Sequence, residues 1–157
     1  MSQTIDRRLA ELGIELPAAA KSMANYLPLA ASGNVVLTSG QLPLSDGKLI
    51  VTGLLGRDLD IETGARAAKQ CTLNTLAQVH ANFGSLERIA RIVKITIFVA
   101  SVPNFTEQHL VANGASDLLV AALGDKGRHA RSAVGVAALP MNAPVEIEAI
   151  IEITPEQ

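Results

Sequence analysis

Between Asp60 and Phe83, the residues Ile61, Ala65, Ala68, Thr72, Leu76, Val79 and Phe83 recur at spacings of 4, 3, 4, 4, 3 and 4. That is the rhythm of one face of an α-helix. Asp60 can cap its first turn and Gly84 can end its last. A helix with such a stripe must lay it on another layer, and the chain supplies one immediately. "IARIVKITIFVASV" reads as a strand, with Val93, Ile95, Ile97 and Val99 alternating with Lys94, Thr96 and Phe98. Its second face is itself partly apolar, which predicts burial on both sides.

The remaining elements follow from the same reasoning. Thr4 to Gly13 is a short amphipathic helix by its Ile5, Leu9 and Leu12 spacing, with Gly13 as its stop. "YLPLAASGNVVLTSGQLPL" reads as a hairpin: Tyr26 to Ala31, a Ser32-Gly33-Asn34 turn, and Val35 to Ser39, with Gly40 breaking the return strand. "KLIVTGLL" is a third short strand after the Ser45-Asp46-Gly47 turn. Asn104 or Thr106 can open a second helix running to about Leu123, and Gly124 to Gly127 is a turn. "RHARSAVGVAALPMNAPVEIEAIIEI", Arg128 to Ile153, looks like two apolar strands joined into a hairpin by a Pro-bounded turn. The order is β-β-β-α-β-α-β-β, an α+β fold with two helices packed on one face of a mixed sheet, read as one domain over 1–157. The uncovered sheet face then calls for a partner subunit.

Composition agrees with an assembly. Among 157 residues, 48% are hydrophobic and only 18% charged, so part of the apolar surface is expected between subunits. The net charge is −2 and no basic cluster is interleaved with aromatics, which argues against nucleic acid as a partner. The apolar runs stop short of membrane-spanning length. "MSQTIDRRLAELGIEL" carries charges where a signal sequence needs an apolar centre. A lone cysteine, Cys71, excludes an internal disulfide, so a cytoplasmic location is expected. There is no H-E-x-x-H, paired C-x-x-C or complete phosphate-binding loop, and no metal or cofactor is expected.

The residues suited to chemistry are few. Cys71 lies beside the helical stripe and reads as packing. His80, His109 and His129 lack metal-ligand spacing and read as surface or capping groups. Arg131 opens a strand of small and apolar residues. It is either a strand-end arginine paired with a neighbouring acid or a planar fork for gripping a carboxylate. Glu146, Glu148 and Glu152 share one face of the last strand. They form either an ordinary solvated face or, if a subunit covers it, carboxylates that titrate upward toward the range of a general base.

Four motifs in collinear order, "VVLTSGQLPL", "VKITIFVASVPNF", "ARSAVGVAALP" and "VEIEAI", resemble the Rid (YjgF, endoribonuclease L-PSP-like) family of reactive-intermediate deaminases, over the chain from about Tyr26 to its C-terminus. The resemblance implies a chorismate-mutase-like fold of the bacillus type. It also implies a homotrimer with clefts between subunits, and hydrolysis of enamines and imines of the 2-aminoacrylate type to 2-oxo acids and ammonia. By the same resemblance Arg131 binds the substrate carboxylate and Glu146 holds the attacking water. Tyr26 helps close the cleft, Ser39 and Gly40 line it, Asn113 lies at the interface, and Ala133 stands where relatives commonly have cysteine. The loop Asn25-Tyr26-Leu27-Pro28 departs from the family's usual Gly-Pro-Tyr, and residues 1–16 are an extra helical segment, as in a longer branch of the family. A non-catalytic or regulatory protein binding small carboxylates is the alternative.

Overall fold

The computed structural model describes residues 3–22 and 24–156. Among them are the helices α1 (Ile5–Glu11), α2 (Ile61–Phe83) and α3 (Gln108–Leu123). The strands are β1 (Leu29–Ser32), β2 (Val35–Thr38), β3 (Leu44–Ser45), β4 (Lys48–Leu49), β5 (Ile89–Ala100), β6 (Ala130–Val136) and β7 (Val145–Ile153). Five strands make one mixed sheet in the order β1-β2-β7-β5-β6, in which only the β5–β6 pair is parallel. Helices α2 and α3 pack on each other and on one face of this sheet, burying Ile95, Ile97, Val99, Ile147 and Ile151 with Leu76, Val79 and Leu119 in a continuous core. This is the expected α+β architecture, with two helices packed on one face of a mixed sheet.

Helix α2 is capped as its sequence requires. The Asp60 side chain accepts from the Thr63 N–H, and Gly84 ends the helix at φ 81°; such an N-cap is worth about 1 kcal/mol. Glu62, Arg66 and Lys69 face water, but three amides of the helix do not. Asn74 Nδ2 donates to the carbonyls of Leu42 and Leu44, both at 2.9 Å, Gln70 Nε2 to Leu44 at 3.0 Å, and Gln78 Nε2 to Ala20 at 2.7 Å. Gln78 holds the segment before β1, and Gln70 and Asn74 strap the loop after β2 onto the helix layer. For that reason the expected third strand does not join the main sheet: β3 and β4 form a separate two-stranded ribbon.

The N-terminal helix packs on its own chain. Thr4 caps α1, Ile5 and Leu9 are buried, and the Ile5 N–H donates to Glu87 Oε1 at 2.6 Å. Leu12, expected on the same stripe, lies beyond the last helical turn and is exposed.

Four local expectations change. β1 begins at Leu29 rather than Tyr26, because the carbonyls of Leu27 and Pro28 are taken by Ser39 Oγ and N. Its turn shortens to Gly33-Asn34, with Ser32 opposite Val35 and Gly33 at φ 62°. Val93 is not a core residue: the β5 register shifts between Ile92 and Lys94, which ejects Val93 and moves the buried phase to Ile92 and Ile95. α3 starts at Gln108, since Phe105 closes a turn on Val102 and its own carbonyl accepts from Gln108 Nε2.

The largest change concerns the C-terminal stretch, which is not a hairpin. β6 pairs with β5 in parallel and β7 lies between β2 and β5, so β5 separates them. α3 returns the chain across the sheet as a parallel pair demands. The link 137–144 then passes round the end of β5, with Met141 and Asn142 at φ 60° and 62° and Pro144 C=O accepting from the Ala100 N–H.

Candidate active site

Alternation along β7 sends Val145, Ile147 and Ala149 toward the helices and Glu146 and Glu148 to the open face. There Glu146 stands opposite Phe98 of β5. After β2 the chain stays beside β7: Gln41 N donates to the Ile147 carbonyl at 2.8 Å and Ile147 N to that of Gln41 at 3.1 Å. This lays the Gly40 backbone directly on the Glu146 side chain. A Cβ on Gly40 would stand 2.1 Å from Glu146 Oε1. Ser39, the preceding residue, donates its hydroxyl to the carbonyl of Leu27, the neighbour of the exposed Tyr26, at 2.6 Å. Gly40 therefore packs on Glu146, with Ser39 beside it in the chain and Tyr26 joined to this segment only through its neighbour Leu27. Burial, and secondarily the charge of Glu148, raise the Glu146 carboxyl above the usual glutamate range. Glu146 has no hydrogen-bond donor or cation on it among the described residues.

Arg131 leaves the sheet the other way. It pairs with Ile95, which is buried under the helices, so its side chain starts from the helix-covered face. The guanidinium reaches α3: Nη1 donates to Asn113 Oδ1 at 2.9 Å and to Ser116 Oγ at 3.0 Å, and Nη2 to the His109 carbonyl at 3.1 Å. Asn113 and Ser116 are one turn apart on α3 and so present together. Both Nη1 hydrogens are used, while Nε has no partner among the described residues, nor does any carboxylate there pair with Arg131. The free edge is that of Nε, together with the second hydrogen of Nη2. Ala133, two residues on, faces the same way and packs against the core.

Arg131 and Asn113 thus meet, and so do Glu146, Gly40 and Ser39, but the two groups lie on opposite faces of the sheet. One chain does not bring Arg131 and Glu146 together. A site containing both needs two copies, and β6, an edge strand, leaves the Arg131 side open to one. Sequence reasoning passed over Ser116 and read His129 as a surface or capping group: His129 is half-buried, with Nε2 2.8 Å from Ser116 Oγ and Nδ1 2.6 Å from the Gly127 carbonyl. The Asn113-x-x-Ser116 spacing was the available signal. Cys71 is wholly buried against the Val145 carbonyl, and burial pushes its thiol up, as a packing role requires. Among the described residues no three His, Cys, Asp or Glu side chains gather as metal ligands would, and no helix is long and apolar enough to cross a membrane.

A small α+β protein with helices on one sheet face and half-buried ionisable groups on both is the class this geometry defines. Residues 6–153 match the model of the family described as "YjgF/chorismate mutase-like, putative endoribonuclease", and the chain belongs to that family. It is similar to Protein TCP17 of Trypanosoma cruzi, 47% identical over 153 residues that cover 97% of this chain and 96% of the relative. A solved Agrobacterium tumefaciens protein of unknown function is 57% identical and superposes with a TM-score of 0.90, over 95% of this chain and 92% of that one. A 2-iminobutanoate/2-iminopropanoate deaminase of Dermatophagoides farinae is 31% identical over 142 residues, 89% of this chain and 94% of the relative.

Proposed function

We propose that the protein hydrolyses reactive imines of 2-oxo acids, releasing ammonia, in a cleft between subunits of a homotrimer. The observation that carries this reading is the half-buried, cation-free Glu146 carboxyl on the open sheet face, complemented by the unpaired Nε edge of Arg131. An α-imino acid carries an electrophilic carbon and a carboxylate. Arg131 of one subunit grips the carboxylate through a two-pronged contact. Glu146 of the neighbour orients a water and takes its proton as the oxygen attacks the imine carbon. Glu146 returns that proton to the nitrogen to complete the carbinolamine, then takes the proton of the new hydroxyl and passes it to the nitrogen, so that ammonia leaves as the carbonyl of the 2-oxo acid forms and the carboxylate is regenerated. A raised carboxyl suits both halves of that cycle, as base and then as acid.

The open face supports the assembly. Leu37 and Val134 are 47% and 43% exposed on that face, Leu37 beside Ile150 and Val134 beside Phe98, two exposed apolar pairs of the sort that an interface covers. The deaminase relative supports the reaction class.

The test is release of ammonia and 2-oxo acid from imines generated in place by an amino-acid oxidase, with and without the protein. Acceleration that Glu146→Gln abolishes supports the reading. An unaccelerated rate with intact 2-oxo acid binding leaves a carboxylate-binding protein, the second reading, for which Arg131 alone suffices.

A further inference from the structure

Behind Arg131 lies a hydrogen-bonded chain whose proton positions follow from the neutral form of one imidazole ring. The Gly127 carbonyl can only accept, so His129 Nδ1, 2.6 Å away, carries the hydrogen. In the neutral ring Nε2 is then an acceptor, and Ser116 Oγ, 2.8 Å away, donates to it. With its hydroxyl hydrogen committed, Ser116 Oγ offers a lone pair to Arg131 Nη1 at 3.0 Å. Asn113 Oδ1 and the His109 carbonyl complete the seat. All three acceptors lie on the Nη side of the guanidinium, so the plane is held with its Nε edge outward.

A serine hydrogen-bonded to a histidine also has the form of a nucleophile and its base. That role does not fit here, because the guanidinium occupies the Ser116 oxygen that would attack.

We infer that Ser116 and His129 are positioning residues: His129 orients the Ser116 hydroxyl, and Ser116 fixes the Arg131 fork that receives a ligand carboxylate. This rests on the carboxylate-binding reading of Arg131 and not on turnover. Fixing a charged fork before the ligand arrives removes an ordering cost from binding. Its loss should therefore fall on affinity and leave the hydrolytic step alone.

The experiment measures 2-oxobutanoate binding by calorimetry on the full-length assembled protein, alongside kcat and KM in the imine assay. Ser116→Ala should weaken 2-oxobutanoate binding about tenfold, the scale of one hydrogen bond to a charged group, raising KM and sparing kcat. Ser116→Thr should restore binding. His129→Ala should weaken it less, and should add nothing in the Ser116→Ala background, since the two act in series. If Ser116→Ala does not fold, His129→Ala and Ser116→Thr carry the test. Unchanged affinity in Ser116→Ala or His129→Ala, with Arg131→Lys defective, overturns the inference alone; so do strictly additive losses. Intact binding in an enzyme without turnover removes the deaminase reading and leaves this one standing. No binding of 2-oxobutanoate by the unaltered protein overturns both.

Discussion

Gly40 leaves no room for a side chain beside Glu146: an added Cβ would sit 2.1 Å from its Oε1 and 2.8 Å from its carboxyl carbon. Gly40 does not have the positive φ that demands glycine, so its small size serves the carboxylate and not the backbone. Gly40→Ala should displace the end of the Glu146 side chain, which can yield, and leave the fold intact. The expected result is a loss of imine hydrolysis of at least about tenfold, the scale on which a small misplacement of a catalytic group acts, with an unchanged thermal unfolding midpoint. Full activity in Gly40→Ala would show that Glu146 does not work from this position.

Glu146→Gln keeps shape and removes the base, so turnover should fall by roughly 10²–10⁴-fold while 2-oxo acid binding persists. Glu148, exposed on the same face opposite Thr96, is the control. Equal and small effects of the two substitutions would demote the site to a binding cleft, and a large loss at Glu148 alone would move the base there.

The raised Glu146 carboxyl sets a pH signature. Its active, ionised form is lost as pH falls through the folded value, so the acid limb of kcat/KM should lie above the ordinary glutamate value of about 4.3. Glu148→Gln removes the like charge and should move that limb toward acid. Stability runs the other way. A carboxyl raised in the folded state favours folding below its unfolded value, and that contribution is lost as pH rises through the folded one. Glu146→Gln should therefore gain stability over the unaltered protein at neutral pH and lose that advantage in acid, as chemical denaturation at the two pH values would register.

Arg131→Lys keeps the charge but cannot hold Asn113, Ser116, the His109 carbonyl and a carboxylate together, because an ammonium has three donors on one point. Binding of 2-oxobutanoate should drop steeply, with the oligomer preserved in sedimentation. Sedimentation also tests the cleft itself: a stable monomer at micromolar concentration would remove it.

Gly114 permits the closest approach of α3 to α2. A Cβ there would stand 2.0 Å from the Ala65 carbonyl oxygen, and backbone cannot move aside as a side chain can. Gly114→Ala should destabilise the protein by about 1–3 kcal/mol, measured by denaturant unfolding, whatever it does to activity. A neutral result would mean that the helices separate more easily than their packing suggests.

Periodicity was enough for α2 and its caps, for α1, for the existence of β5 and for the polar face of β7. Each depends on residues a few positions apart, where local geometry decides. The family motifs likewise pointed to Arg131, Glu146, Ser39, Gly40 and Asn113 in the linear chain. Which strand lies beside which is not a local property. A Pro-bounded link between β6 and β7 looks the same whether the strands pair or, as here, β5 lies between them. The register shift that exposes Val93 is equally silent, since it exists only against β7.

The sequence by itself determined a helix-on-sheet α+β protein with few charged residues and a short roster of ionisable groups in apolar strands. Only the tertiary structure decided that Arg131 and Glu146 leave the sheet on opposite faces. Alternation within a strand gives two faces but not their names; these come from the partner strand, and pairing with buried Ile95 puts Arg131 under α3, while pairing with Phe98 puts Glu146 on the open side. The same packing brought Ser116 and His129 behind Arg131. Asn113-x-x-Ser116 is visible as a spacing, but these residues meet Arg131 and His129 only because α3 crosses back over β6, which is a fact of packing.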